Sequence, residues 1–131
     1  MPAAAKAPDS KLGRLKALGK GQRAESLAAL TLRLKGYRIL SRGFSARGGE
    51  IDIIAQRGST IAFVEVKCRR SLMHAMAAID ANKRKRMSCA VRAWLVAHPA
   101  AARYTLSGDA VYVTPWRWPR HIRAAIPLDL G

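Results

Sequence analysis

An α/β fold, with helices packed on a mixed β-sheet, is what this sequence predicts, and three observations carry the prediction. Apolar residues recur at helical spacing near the start of the chain and again over residues 73–98. Three consecutive segments of strand character lie between those stretches and a fourth follows them, giving the order α-β-β-β-α-β. Residues 60–68 (TIAFVEVKC) are apolar on both faces through their first half, as a central strand covered from both sides requires. With 131 residues, half of them hydrophobic, one domain is expected. A chain of this size buries about two-thirds of its unfolded surface and folds without staples.

The elements follow in order. Residues 1–19 are Ala, Pro and Lys with little to bury, which predicts a flexible basic tail ahead of a single domain over 20–131. Ala24, Leu27, Ala28 and Leu34 space a first helix over 21–35, and Gly36 sits where a glycine stops a helix. Residues 37–44 predict a first strand, 45–48 (SARG) a loop and 49–56 (GEIDIIAQ) a second strand. Arg57-Gly58-Ser59 is a tight turn into the third strand. One helix is expected over 73–98, with Met76, Ile79, Met87, Ala90, Val91, Trp94 and Leu95 on its buried side and Pro99 closing it. Residues 109–114 predict the fourth strand, and His121–Ile126 one last helical turn.

Charge limits the partners. Lys and Arg number 24 against 8 acids, a net charge of +16, so a polyanion is expected, and nucleic acid is the default. No apolar run approaches the ~20 residues that span a bilayer, and the N-terminus lacks the apolar stretch of a secretory signal. Cys68 and Cys89 stand alone without CxxC spacing, which argues against disulfides and cysteine-bound zinc and for a cytoplasmic protein.

In so basic a chain the acids are informative. Side chains alternate along a strand, so Ile61, Phe63, Glu65 and Lys67 share one face of the third strand. In the second strand Glu50, Asp52 and Ile54 share a face, and Ile51, Ile53 and Ala55 the other. A hairpin pivoting on Gly58 brings Asp52 within about two residue steps of Glu65. Two carboxylates so close repel unless a cation sits between them. Mg²⁺, with Mn²⁺ as the alternative, suits such a pair because it takes oxygen ligands and keeps waters for a substrate phosphate. Lys67 then supplies a fixed positive charge to orient water or stabilise phosphoryl oxygens. Glu25 on the first helix is a further acidic candidate, and Glu50 a supporting residue paired with Arg42 or Arg47. Asp80 and Asp109 read as structural.

The ordered set of Glu25, G-E-I-D (49–52) and V-E-V-K (64–67) resembles the PD-(D/E)xK restriction-endonuclease-like superfamily. More closely, G-x-x-A-E (21–25), G-Y-x-I-L (36–40), GEIDIIA, FVEVKCR and H-I-R-x-A (121–125) are similar to the YraN-type family of small bacterial proteins, akin to Holliday-junction resolvases. The resemblance covers about residues 20–126. It implies a restriction-endonuclease-like sandwich in which Asp52 and Glu65 bind metal, and Glu25, Asp52, Glu65 and Lys67 form the catalytic set. Ser107 departs from the family pattern, which has an arginine there, two residues before the strand aspartate.

Arg69 and Arg70, directly after the E-x-K, and Lys83, Arg84 and Arg86 on the later helix are the expected phosphate contacts. Trp116 and Trp118 flank Arg117 and read as core or lid residues, with base stacking as the sharper alternative. The expectation is therefore an Mg²⁺-dependent endonuclease in DNA processing, repair or recombination. Its partner is nucleic acid, DNA before RNA, and a homodimer would suit a resolvase. The rival is a non-enzymatic nucleic-acid-binding module on the same fold, part of a DNA-processing complex.

Overall fold

The first helix, α1 (Lys11–Leu34), lies on one face of a five-stranded sheet in a computed structural model that describes residues 11–131. The helix begins ten residues before Gly21 and takes in residues 11–19, which composition assigns to a tail; Leu12, Leu15 and Leu18 already carry a helical period there. Residues 1–10 of that expected tail lie outside the described residues. The buried stripe is also rotated from the expected one. Ala24, Ala28, Ala29, Thr31 and Leu32 face the sheet, whereas Leu27 and Leu34 are exposed. Small side chains let the helix backbone sit close to the strands; of the leucines over residues 27–34 only Leu32 faces them, and Leu27, Leu30 and Leu34 are turned outward.

The helix stops as its glycine predicts. Gly36 has φ +92°, its N–H donates to the Arg33 carbonyl, and the Tyr37 N–H reaches back to the Leu32 carbonyl. These two bonds satisfy carbonyls that the helix end leaves without partners.

Strands β1 (Arg38–Ala46), β2 (Gly49–Arg57) and β3 (Thr60–Cys68) form an antiparallel meander. Half of the stretch over 45–48, expected as a loop, is strand; only Arg47 and Gly48 turn the chain, because Ser45 and Ala46 find partners in Glu50 and Gly49. A crossover then leads to β4 (Thr105–Val113), which runs parallel to β3, and β5 (Arg120–Ile122) returns antiparallel to β4. The sheet order is β1-β2-β3-β4-β5, with β3 central.

The crossover holds two helices, not one: α2 (Leu72–Ala77) and α3 (Ala81–Ala97), then a short 3₁₀ turn (Pro99–Arg103). Asp80 causes the break, since its carboxylate accepts the Lys83 backbone N–H at 2.9 Å and caps α3. Asp80 is thus structural, as its place in the sequence suggests. Strand β4 starts at Thr105, four residues earlier than expected. Gly108 reads as a breaker in sequence, yet a Cβ there would lie 2.3 Å from the Ile126 carbonyl oxygen, so the glycine admits the returning chain. The expected last helical turn is strand β5 at its start, because Arg120–Ile122 pair with β4.

The sheet is buried on both faces. Ala62, Val64, Ile53, Ala55, Val111 and Val113 pack on α1. Ile54, Ile61, Phe63, Ala110 and Tyr112 pack under α2 and α3, against Ala75, Met87, Ala90, Val91 and Trp94. Ile51 belongs to this second layer, with Ile54 rather than with Ile53, so the expected alternation in β2 slips at Asp52.

Candidate active site

The slip at Asp52 opens the site. Pairing of β2 with β3 ends at Ile53 opposite Val64, and one step further Asp52 and Glu65 stand level on strands that part. Opposite Asp52 on the other side, β1 passes through Gly43 at φ +71°. The Asp52 carboxylate fills the fork, where Oδ2 accepts the Val66 backbone N–H at 2.8 Å in place of a ladder bond. Glu65 is buried, 4% exposed, on the same face as Phe63 and beneath the start of α3.

Two ammonium groups meet the Glu65 carboxylate. Lys67 Nζ lies 3.1 Å from Oε1 and Lys83 Nζ 3.3 Å from the same oxygen. Lys83 also stands 3.8 Å from Glu50 Oε1. Lys83, expected from sequence as a phosphate contact, is here turned into the acidic cluster. The cause is helix phase: Lys83, Met87, Ala90 and Trp94 lie on one stripe of α3, and the last three are buried. Gly49 lets this happen, because a Cβ there would lie 1.8 Å from the Arg86 carbonyl oxygen, so only glycine permits α3 to cross β2 so closely. Arg84, Lys85 and Arg86 remain exposed, as do Arg69 and Arg70 beyond the end of β3.

Glu25 stands apart from the pair. Its Oε1 accepts from Arg42 Nε at 3.2 Å, and a second Arg42 nitrogen donates to Ser26 Oγ. Arg42 thus serves Glu25, and Glu50 takes Lys83, which corrects the pairing of Glu50 with Arg42 or Arg47. Glu25 still acts on the site through its field. Burial first, then the Glu65 charge, push the Asp52 carboxyl up to about 7; the Val66 N–H and Lys83 pull it down, and Glu25 adds to the rise. Lys83 is raised above its ordinary value: burial opposes this, but Glu65, Glu50 and Asp52 together outweigh it.

A second charged cluster, on the opposite face of the sheet, escaped sequence reasoning. Asp109 on β4 and His121 on β5 form a pair 2.7 Å apart, each side chain 1% exposed. Lys35 Nζ donates to His121 Nδ1 at 2.5 Å, so the ring carries its proton on Nε2 and donates to Asp109 Oδ2. The Ser107 hydroxyl and the Ala124 N–H complete the shell of Asp109. Burial would raise its pKa, but these bonds and His121 hold it below the ordinary carboxylate value. Ser107, the departure from the family pattern, is thus a partner of Asp109. No spacing rule connects Lys35, Asp109 and His121 before the sheet assembles.

Fold and site together define the class: an α/β protein with an open mixed sheet, in which a carboxylate pair and two lysines gather where the central strands part. The comparisons then give the family. The sequence model of "Uncharacterised protein family UPF0102" matches residues 24–113, so the chain belongs to that family, which is the YraN type. A UPF0102 protein of Methylocella silvestris is 57% identical over 118 residues, 90% of this chain and 95% of the relative. One of Methylorubrum extorquens is 60% identical over 85% of this chain and 87% of its own length. One of Mesorhizobium japonicum is 50% identical over 86% and 90%. Among the described residues no helix is long and apolar enough to cross a membrane.

Proposed function

We propose that this protein is a metal-dependent nuclease of the PD-(D/E)xK kind that hydrolyses phosphodiester bonds in nucleic acid, DNA before RNA. One arrangement supports this above all: Asp52 level with Glu65 on adjacent strands, with Lys67 Nζ 3.1 Å from the Glu65 carboxylate. The residues fit a hard divalent ion. Both offer oxygen donors, and an Asp52 carboxyl pushed up to about 7 marks a site short of positive charge. Among the described residues no group of three or more His, Cys, Asp or Glu gathers for a metal, so Asp52 and Glu65 would hold Mg²⁺ or Mn²⁺ with water and substrate oxygens completing the shell. The ion would contribute Lewis acidity and a more acidic bound water. Lys67 keeps a fixed charge where phosphoryl oxygens gain negative charge. Glu25, held by Arg42, adjusts the field at Asp52. Arg69, Arg70, Arg84 and Arg86 hold backbone phosphates without reading sequence.

One observation favours the rival, a nucleic-acid-binding module without catalysis: Lys83 Nζ reaches both Glu65 and Glu50 and offsets charge that a metal would otherwise balance. Single-turnover cleavage of labelled DNA and RNA junctions, nicks, single strands and duplexes, in Mg²⁺, Mn²⁺ or EDTA, separates the two. The nuclease requires metal-dependent cleavage by the wild type and a loss of roughly 10²–10³-fold in Lys67→Ala with binding intact. Binding without cleavage on every substrate favours the module. Undiminished cleavage by Lys67→Ala removes that lysine from the mechanism.

A further inference from the structure

The loop between β4 and β5 carries two of the three tryptophans, and both lie open to solvent. Of the three tryptophans, Trp94 lies in the core at 5% exposure, whereas Trp116 is fully exposed and Trp118 is 65% exposed. Trp116 is also held at φ +61°, a conformation unfavourable for a bulky side chain. A strained residue that presents an indole to water gains nothing for folding, so the expense points to a ligand. Of the core-or-lid expectation for these two tryptophans, the exposure rules out the core.

Their surroundings name the ligand chemistry. Trp118 lines a groove of about 640 Å³ with Arg70, Arg117, Arg120, Thr114 and Tyr112. On the other side of the loop Trp116 and Trp118 border a second hollow of about 500 Å³, floored by Leu27, Cys68 and Val113. No acidic residue lines either hollow among the described residues. Three guanidinium groups beside exposed indoles suit a strand that alternates phosphates with flat bases. A membrane surface fits less well, because the cations and indoles line concave hollows rather than a flat apolar patch. Tyr112 pairs with Lys67 in the sheet and faces the same side, so the larger groove opens one residue pair from the catalytic lysine.

We propose that the Trp116–Trp118 loop and the Arg70, Arg117 and Arg120 groove form a platform for unpaired nucleotides, which delivers a single-stranded segment of polynucleotide to Lys67. This rests on the nucleic-acid reading above and adds its substrate class. Duplex DNA keeps its bases stacked on one another and offers the indoles nothing, so the platform selects for single strands, flaps or open junction arms.

The test is a titration of the full chain, without metal, against oligo(dT), oligo(U), a blunt duplex of equal charge and phosphatidylglycerol vesicles, followed by tryptophan fluorescence and by anisotropy of a labelled strand. The wild type is expected to prefer single strands to duplex. Trp116→Ala and Trp118→Ala should each weaken single-strand affinity roughly tenfold or more, with the salt slope unchanged. Trp116→Phe and Trp118→Phe should retain most of it, since a ring suffices, and equal melting temperatures exclude an effect through folding. Affinity for single strand and duplex unaltered in both alanine variants overturns the platform, as does tryptophan-dependent binding to vesicles but not to oligonucleotides. The two proposals fail separately. Metal-dependent cleavage with no tryptophan effect leaves the nuclease and removes the platform, and tryptophan-dependent binding without cleavage does the reverse.

Discussion

Asp52 is where function and folding oppose each other. Its carboxyl is moved from an ordinary value of 3.8 to about 7, because burial and Glu65 disfavour its charged form. An acid whose folded value is raised contributes its full stability below the unfolded value and loses it as pH rises through the folded one. The metal-free protein should therefore weaken between about pH 4 and 7. Asp52→Asn keeps an oxygen for the Val66 N–H and has no charge to lose. The variant should lack that part of the pH slope and be the more stable protein at pH 8, by on the order of 1–2 kcal/mol. It should also lose the stabilisation that Mn²⁺ gives the wild type. Thermal melts at pH 5 and pH 8, with and without Mn²⁺, check both halves. Parallel pH slopes, or equal metal shifts in the two proteins, would place the charge conflict elsewhere.

Strand β5 is only three residues long, and the buried hydrogen bond from His121 to Asp109 ties it to β4 beside the strand ladder. Asp109, His121 and Lys35 tie β4, β5 and the end of α1 together on the face away from the carboxylate pair. Breaking a buried pair on one side leaves the other charge or donor without a partner, at a cost of about 3–5 kcal/mol. Asp109→Ala should show a loss of that size in urea melts, with hydrogen exchange rising first in residues 120–126. Because the Asp109 pKa is depressed in the folded state, its contribution is present above the ordinary carboxylate range and lost as pH falls through the folded value. This acid weakening lies below the window that belongs to Asp52, so the two are separable in one pH series. A loss under ~1 kcal/mol would reduce the pair to an incidental contact.

Across the whole chain, 24 basic residues oppose 8 acids, and several of the few acids are paired internally with Arg42, Lys67 and Lys83. Other bases, among them Arg69, Arg70, Arg84 and Arg86, are exposed. Replacing Arg69 and Arg70 together by alanine should weaken binding to all sequences alike. It should also reduce the slope of log affinity against log salt by up to about 2, one released counterion per phosphate contact. A changed sequence preference with an unaltered slope would contradict phosphate contact.

The periodic features were legible in the sequence alone: the α/β class, the Gly36 stop, three successive strands with a hairpin between the second and third, the covered faces of β3, and the approach of Asp52 to Glu65 around Gly58. Each of these depends on residues close in the chain, where alternation or helical phase determines which side chains share a face. Tertiary structure decided the rest. Whether Lys83 meets phosphate or Glu65 depends on how closely α3 crosses Gly49, a distance that no local pattern encodes. The bend at Asp52, the strand character of residues 120–122 and the exposure of Trp116 and Trp118 likewise follow from where β3, β4 and the helices settle. A charged side chain takes the partner that packing brings to it, and a short strand exists only through its neighbour's backbone. Both are set by contacts between residues far apart in sequence, which form only when the sheet and its covering helices close together.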